Sequence, residues 1–113
     1  MKTLTIDVAS REQVNTRFEE AMTGKVTGER LSFPTLELFY KLMNPRRLQL
    51  IKAIQSWGPV GIRELARRLE RDPGNLVRDL KPLKEWRIVE DTGQDLMIPY
   101  DEIRLELVIG KAA

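Results

Sequence analysis

Asn75, Arg78 and Lys81, spaced by three, carry the most specific chemistry in the chain. On a helix, Asn75 and Arg78 share a face. Asparagine pairs bidentately with adenine and arginine with guanine on the base edges of a DNA major groove. Lys81 continues the outward side. Arg63, Arg67 and Arg71 recur every four residues, which sets a cationic row along one side of a helix. Such a row suits a sugar-phosphate backbone, where contacts fix position rather than sequence. Arg46 and Arg47 lie beside the amides left free at a helix start and form a second phosphate candidate.

These residues sit in a segregated charge distribution. Residues 44–90 hold eleven Lys and Arg against six Asp and Glu, a net of +5, whereas the whole chain is +2. The remaining residues therefore sum to −3, and a cationic segment of this kind suits a polyanion. A plainer reading stays open, in which the cations form a solvated helical face paired with Glu64, Glu70, Asp79 and Glu85. Asn75 either reads a base or caps its own helix start. Asp79 is expected to pair with a neighbouring arginine.

Absences narrow the chemistry further. The chain has no His and no Cys, and its seven glycines are scattered. Near-neutral proton transfer, thiol chemistry and thiolate metal sites lose their usual side chains. We expect no enzyme, no metal and no cofactor. No apolar run approaches the roughly 20 residues that cross a bilayer, and the first residues lack the apolar core of a secretory signal. Cytoplasm is the expected compartment. At 113 residues the chain can bury only a modest core, so oligomerisation would help it.

The elements that must position these residues follow from periodicity and punctuation. Leu4, Ile6 and Val8 alternate with polar residues, predicting a strand over residues 3–8. Ser10 with Gln13 forms a capping box, and Val14, Phe18, Ala21 and Met22 line one helical face before Gly24. Leu31 and Phe33 suggest a second strand. Thr35 caps a helix through Met43, with Leu36, Phe39, Tyr40 and Met43 on one side. Asn44-Pro45 and Asp72-Pro73 both combine an N-cap with a first-turn proline. The helix after Asn44 presents Leu48, Ile51, Ile54 and Trp57 and stops at Gly58-Pro59. Gly61 opens the next, with Ile62, Leu65, Ala66 and Leu69 inward. After Asp72 comes the third, with Leu76, Val77, Leu80 and Leu83 apolar and Gly74, Asn75, Arg78, Asp79, Lys81 and Pro82 outward. Pro82 either bends that helix or marks its end. Trp57 and Trp86 are expected in the core. Ile88-Val89 and Leu96 to Ile98 flank a turn at Thr92 to Asp95, a hairpin. Ile103, Leu105, Leu107 and Ile109 alternate as a final strand.

The runs Ile62 to Leu69, Asn75 to Leu83 and Ile88-Val89-Glu90 resemble the winged-helix domains of bacterial and archaeal transcriptional regulators. Within that group the chain is most similar to small DNA-binding proteins that join a β-α-β-α lead segment to the winged helix. Pro99-Tyr100-Asp101-Glu102-Ile103 matches the segment after their wing. Many such proteins resemble the antitoxin halves of toxin–antitoxin pairs whose toxin is ribonuclease-like. The resemblance implies an α+β fold, a winged helix-turn-helix of three helices plus a β-hairpin wing with an N-terminal β-α-β-α extension. Residues 1–43 would be the extension, serving dimerisation or partner binding, 44–99 the winged helix-turn-helix, and 100–113 a C-terminal strand and tail. It implies a homodimeric, sequence-specific binder of double-stranded DNA, the antitoxin and autorepressor of its operon. Asn75, Arg78 and Lys81 would read bases, while Arg46, Arg47, Gly61, Arg63, Arg67 and Arg71 would hold phosphates. Gly61 stands where many relatives have Ser, which leaves its backbone amide for that role. The alternative is a protein–protein module that neutralises a ribonuclease-like toxin without a major DNA role, and a winged helix that binds RNA is a third option. The expected wing carries Glu90, Asp91 and Asp95 and no Lys or Arg between Ile88 and Pro99, a charge suited to protein rather than phosphate.

Overall fold

The computed structural model describes residues 1–9, 12 and 29–110. The fold is mixed α and β, in two units: Met1–Lys41 with Tyr100–Ala113, and Leu42–Pro99. Among the described residues, no helix is long and apolar enough to cross a membrane.

The first unit holds β1 (Thr3–Val8), β2 (Glu29–Phe33), α1 (Leu36–Leu42) and β5 (Glu102–Glu106). The strands form one sheet in the order β2-β1-β5, with both pairs parallel. Strand alternation sends Leu4 and Ile6 to one face, where both are buried. The opposite face carries Asp7, which is buried and charged. It is satisfied by Arg30 Nη1, which donates at 2.8 Å, and by Ser32 Oγ, which donates at 2.6 Å. Pairing of this kind is what allows a carboxylate to leave water. Thr35 Oγ1 accepts from Leu38 N–H at 3.1 Å and so caps α1. The apolar side expected for α1 is narrower than predicted. Phe39 is buried edge-on against Phe33, centroids 5.9 Å apart, whereas Leu36 and Tyr40 are exposed.

The final strand is also shorter than its alternation suggests, ending at Glu106. Leu107 and Ile109 lie beyond it and are exposed. The strand's partner is β1, with Leu105 opposite Ile6 and Glu106 opposite Asp7. Two bonds fix its start: Asp101 N–H donates to the Lys2 carbonyl at 2.8 Å, and Lys2 N–H to Asp101 Oδ2 at 2.7 Å. The helix expected from Ser10 to Met22 and its Gly24 terminator lie outside the described residues, save Glu12.

The second unit contains α2 (Pro45–Trp57), α3 (Ile62–Leu69), α4 (Pro73–Glu85), β3 (Glu90–Asp91) and β4 (Leu96–Met97). Both predicted caps form: Asn44 Oδ1 accepts from Arg47 N–H at 3.0 Å, and Asp72 Oδ2 from Asn75 N–H at 3.2 Å. The core draws Leu50, Ile51, Ala53 and Ile54 from α2, Leu65 and Ala66 from α3, and Leu76, Leu80 and Leu83 from α4. Trp57 is not part of it, being 37% exposed. It lies seven residues after Leu50, on the same side of α2, but as the last residue of the helix, where its ring takes a cation–π contact from Arg68 instead of closing over the core. Trp86 closes α4 at its C-cap and is 36% exposed, a second correction. Val77 likewise faces out, since Leu76, Leu80 and Leu83 already define the buried stripe. Pro82 lies inside α4 rather than ending it.

After α4, Ile88 and Val89 are buried, with both N–H groups donating to the Leu83 carbonyl. The antiparallel ladder therefore starts two residues later than predicted, with Glu90 opposite Met97 and Asp91 opposite Leu96. Val60, between α2 and α3, joins β4 by exchanging two hydrogen bonds with Leu96 at 3.0 and 2.8 Å. Gly93 takes φ +92° in the turn, a conformation that side chains with a Cβ rarely adopt. At the end of α2 a Cβ on Gly58 would lie 2.6 Å from the Ile54 carbonyl oxygen, so only glycine fits there.

Candidate nucleic-acid interface

The Asp72 cap and Pro73 start α4 sharply, and three buried leucines fix its rotation. That rotation leaves Asn75, Arg78 and Lys81 exposed on the outward side. Asn75 does not supply the cap, because Asp72 does. Its side chain is left to the solvent face. Among the described residues, no carboxylate pairs with Arg78, Lys81 or Arg63. These three cations are open to an outside anion.

The predicted arginine row of α3 is broken. Arg63 and Arg67 are exposed on the helix, but the helix ends at Leu69 and Glu70 takes a left-handed conformation, φ +52°. That turn sends Arg71 inward, where its guanidinium donates to Asp79 of α4 and is 16% exposed. Arg71 is thus a tie between the turn and α4 rather than an exposed phosphate contact. Asp79, expected outward, is 13% exposed and also draws Arg46 Nη2 to 3.4 Å. One carboxylate on α4 therefore holds arginines from the start of α2 and from the α3–α4 turn.

Arg67 is exposed but engaged. Its Nε donates to Glu64 Oε2 at 3.0 Å and its Nη2 to Oε1, while Arg68 Nε donates to Oε1 at 2.9 Å. Hydrogen bonds from Arg67 and then Arg68 hold the Glu64 carboxyl down from 4.5 to about 2. The Arg68 guanidinium also lies 5.2 Å from the Trp57 ring centroid, a cation–π contact. A phosphate reaching Arg67 must compete with Glu64.

Two backbone sites fare less well than predicted. At the start of α2, Pro45 has no N–H, the Arg47 amide is taken by Asn44 and the Leu48 amide by the Asn44 carbonyl. The Arg47 side chain is half-buried, and its Nη1 donates to the Leu42 carbonyl at 3.3 Å. Arg46 remains as the exposed cation there. Gly61 caps α3 with no side-chain bond, but Asp95 Oδ1 lies 3.8 Å from where its Cβ would be. A carboxylate already faces that helix start, which favours anions, and repels a second one.

The hairpin holds one of its acids, Asp91, by two contacts. Gly93 N–H donates to Asp91 Oδ1 at 2.9 Å, and Lys84 Nζ reaches Asp91 Oδ2 at 3.5 Å. The Gly93 bond chiefly, with Lys84 behind it, lowers the Asp91 carboxyl below its ordinary value. Val77 lines a cleft here with Ile62, Leu80 and Leu96, rimmed by Asp91 and Asp95. Among the described residues, no three carboxylates gather as a metal site.

The expected pairing of Asp79 with an arginine forms, but it is made with Arg71 and Arg46, neither of them within four residues on its own helix. Arg71 lies eight residues before Asp79, beyond the reach of an i, i+4 pairing rule, so spacing alone does not name it as the partner. A family model described as HVO_A0114 matches residues 42–105, more than half of the chain, including the whole second unit. No curated protein and no solved structure matches the chain.

Proposed function

We propose that this chain, which belongs to the HVO_A0114 family, is a sequence-specific binder of double-stranded DNA. On this reading residues 44–99 act as a winged helix-turn-helix, with α4 as the recognition helix and β3–β4 as the wing. One observation carries the reading: the outward side of α4 bears Asn75, Arg78 and Lys81, exposed and unclaimed by any carboxylate among the described residues. In the major groove Arg78 would read guanine and Asn75 adenine, with Lys81 continuing the line. Arg63 and Arg46 would rest on phosphates, joined by Arg67 once it releases Glu64. Arg47, Arg71 and Gly61 drop out of the phosphate set, being turned inward or faced by an acid. The protein would act as a transcriptional regulator, a homodimer on a two-fold site.

The acidic hairpin supports a second role, in which Glu90 and Asp91, both exposed, meet a basic protein surface. A ribonuclease-like toxin is the partner of that kind, which would make the chain an antitoxin that represses its own operon. Charge complementarity would supply both the steering and the specificity.

Fluorescence anisotropy with a duplex selected by the protein and a random duplex tests the base-reading role. Arg78→Ala is expected to cost about 1–3 kcal/mol on the selected duplex and almost nothing on the random one. Equal losses on both would refute it. Structured RNA that outcompetes duplex would move the assignment to RNA.

A further inference from the structure

β5 is an edge of its sheet, and among the described residues no strand pairs with its outer side. Leu105 is 44% exposed, and just past the strand Leu107, Val108 (82%) and Ile109 (100%) are open to solvent. An apolar run on an open edge is what folded proteins usually blunt or cover.

We propose that β5 pairs antiparallel with β5 of a second copy, about a two-fold axis at Leu105. Pairing centred there sets Arg104 opposite Glu106 of the second copy, and Glu106 opposite its Arg104. Leu105 meets Leu105, and Ile103 meets Leu107, so the apolar side chains share one face. The neighbouring registers are worse. Centring on Arg104 sets arginine against arginine and Glu102 against Glu106, and centring on Glu106 sets that acid against itself. Centring on Ile103 also sets Arg104 against Glu102, but it puts Leu105 against Asp101 and leaves Leu107 to Ile109 bare. Unlike charges directly opposite stabilise a ladder and like charges weaken it, so the Leu105 register is the one of these that pairs the charges and covers the apolar run.

The contacts that Arg104 and Glu106 now make are long and exposed. Arg104 lies 3.8 Å from Glu102, and Glu106 lies 3.8 Å from Arg30. Both can shift to the second copy at little cost. The ladder then continues through Val108, opposite Glu102, and covers side chains that are bare in the single chain. This surface belongs to the first unit and does not depend on whether α4 binds DNA.

Sedimentation velocity on the full chain tests the pairing with Arg104→Glu, Glu106→Arg and an equimolar mixture of the two. The wild type is expected to be a dimer. Each variant alone sets two like-charge pairs opposite and raises the dimer Kd about tenfold or more. The mixture restores the dimer, one chain of each, because unlike charges again face each other. Leu105→Lys, which touches neither ion pair, gives the same weakening, and circular dichroism verifies that each variant is folded. A monomeric wild type overturns the proposal. So do folded variants that dimerise as tightly as the wild type, or a mixture no tighter than its components.

Discussion

Single side chains decide which of the chain's many cations can meet an outside anion. Counted from composition, residues 44–90 look uniformly basic, but the geometry sorts them. Arg71 is committed to Asp79, Arg67 and Arg68 to Glu64, and Lys84 to Asp91. Among the described residues Lys52, Arg63, Arg78, Lys81 and Arg87 remain without a carboxylate, and only Arg78 and Lys81 share the outward side of α4 with Asn75. If the chain binds DNA as proposed, Glu64 would act as a brake on that binding. Glu64→Gln should raise affinity for random duplex a few-fold by freeing two arginines and removing one anion, read by anisotropy at fixed salt. An unchanged or weaker affinity would show that Arg67 plays no part. The same residue should have a pH signature. Its folded value, about 2, lies below the ordinary 4.5, so its contribution to stability is complete above about pH 5 and fades as pH falls towards 2. Thermal melts across that window should show a smaller acid loss for Glu64→Gln than for the wild type.

At the scale of elements, local rules read well and long-range ones did not. Asn44-Pro45 and Asp72-Pro73 announced two helix starts because capping is a matter of four consecutive residues. The alternation of β1 was equally plain. Periodicity puts Trp57 on the Leu50 and Ile54 side of α2, but its place as the last helical residue leaves it partly exposed, which spacing alone does not show. The partner of β5 was invisible, since its pairing with β1 spans almost the whole chain. Of the candidate site, the α4 face was legible from spacing, while the fates of Arg71, Arg47 and Gly61 depended on Asp79, Leu42 and Asp95, which only the fold brings near. Asp79 now predicts an outcome of its own. Asp79→Asn removes the carboxylate that holds Arg71 and Arg46, leaving a largely buried guanidinium uncompensated. We expect a loss of about 2 kcal/mol in urea denaturation. A loss near zero would mean that α4 is held by its leucines alone.

For the whole molecule, the account rests on segregated charge and a helix whose polar side is open. With Arg46, Arg63 and Arg67 as the phosphate contacts, log affinity should fall against log salt with a slope of about −3 per chain. A flat salt response would exclude backbone contacts altogether. The acidic hairpin and the bare edge of β5 give the chain two further surfaces, which its modest net charge of +2 conceals. The most direct measurement is selection from a random pool of duplex DNA by the intact protein at low salt, followed by sequencing of the retained molecules. The account predicts enrichment of one motif that contains guanine and adenine at adjacent read positions, and loss of that motif with Arg78→Ala. Retention of no duplex, or retention without any enriched sequence, would contradict it.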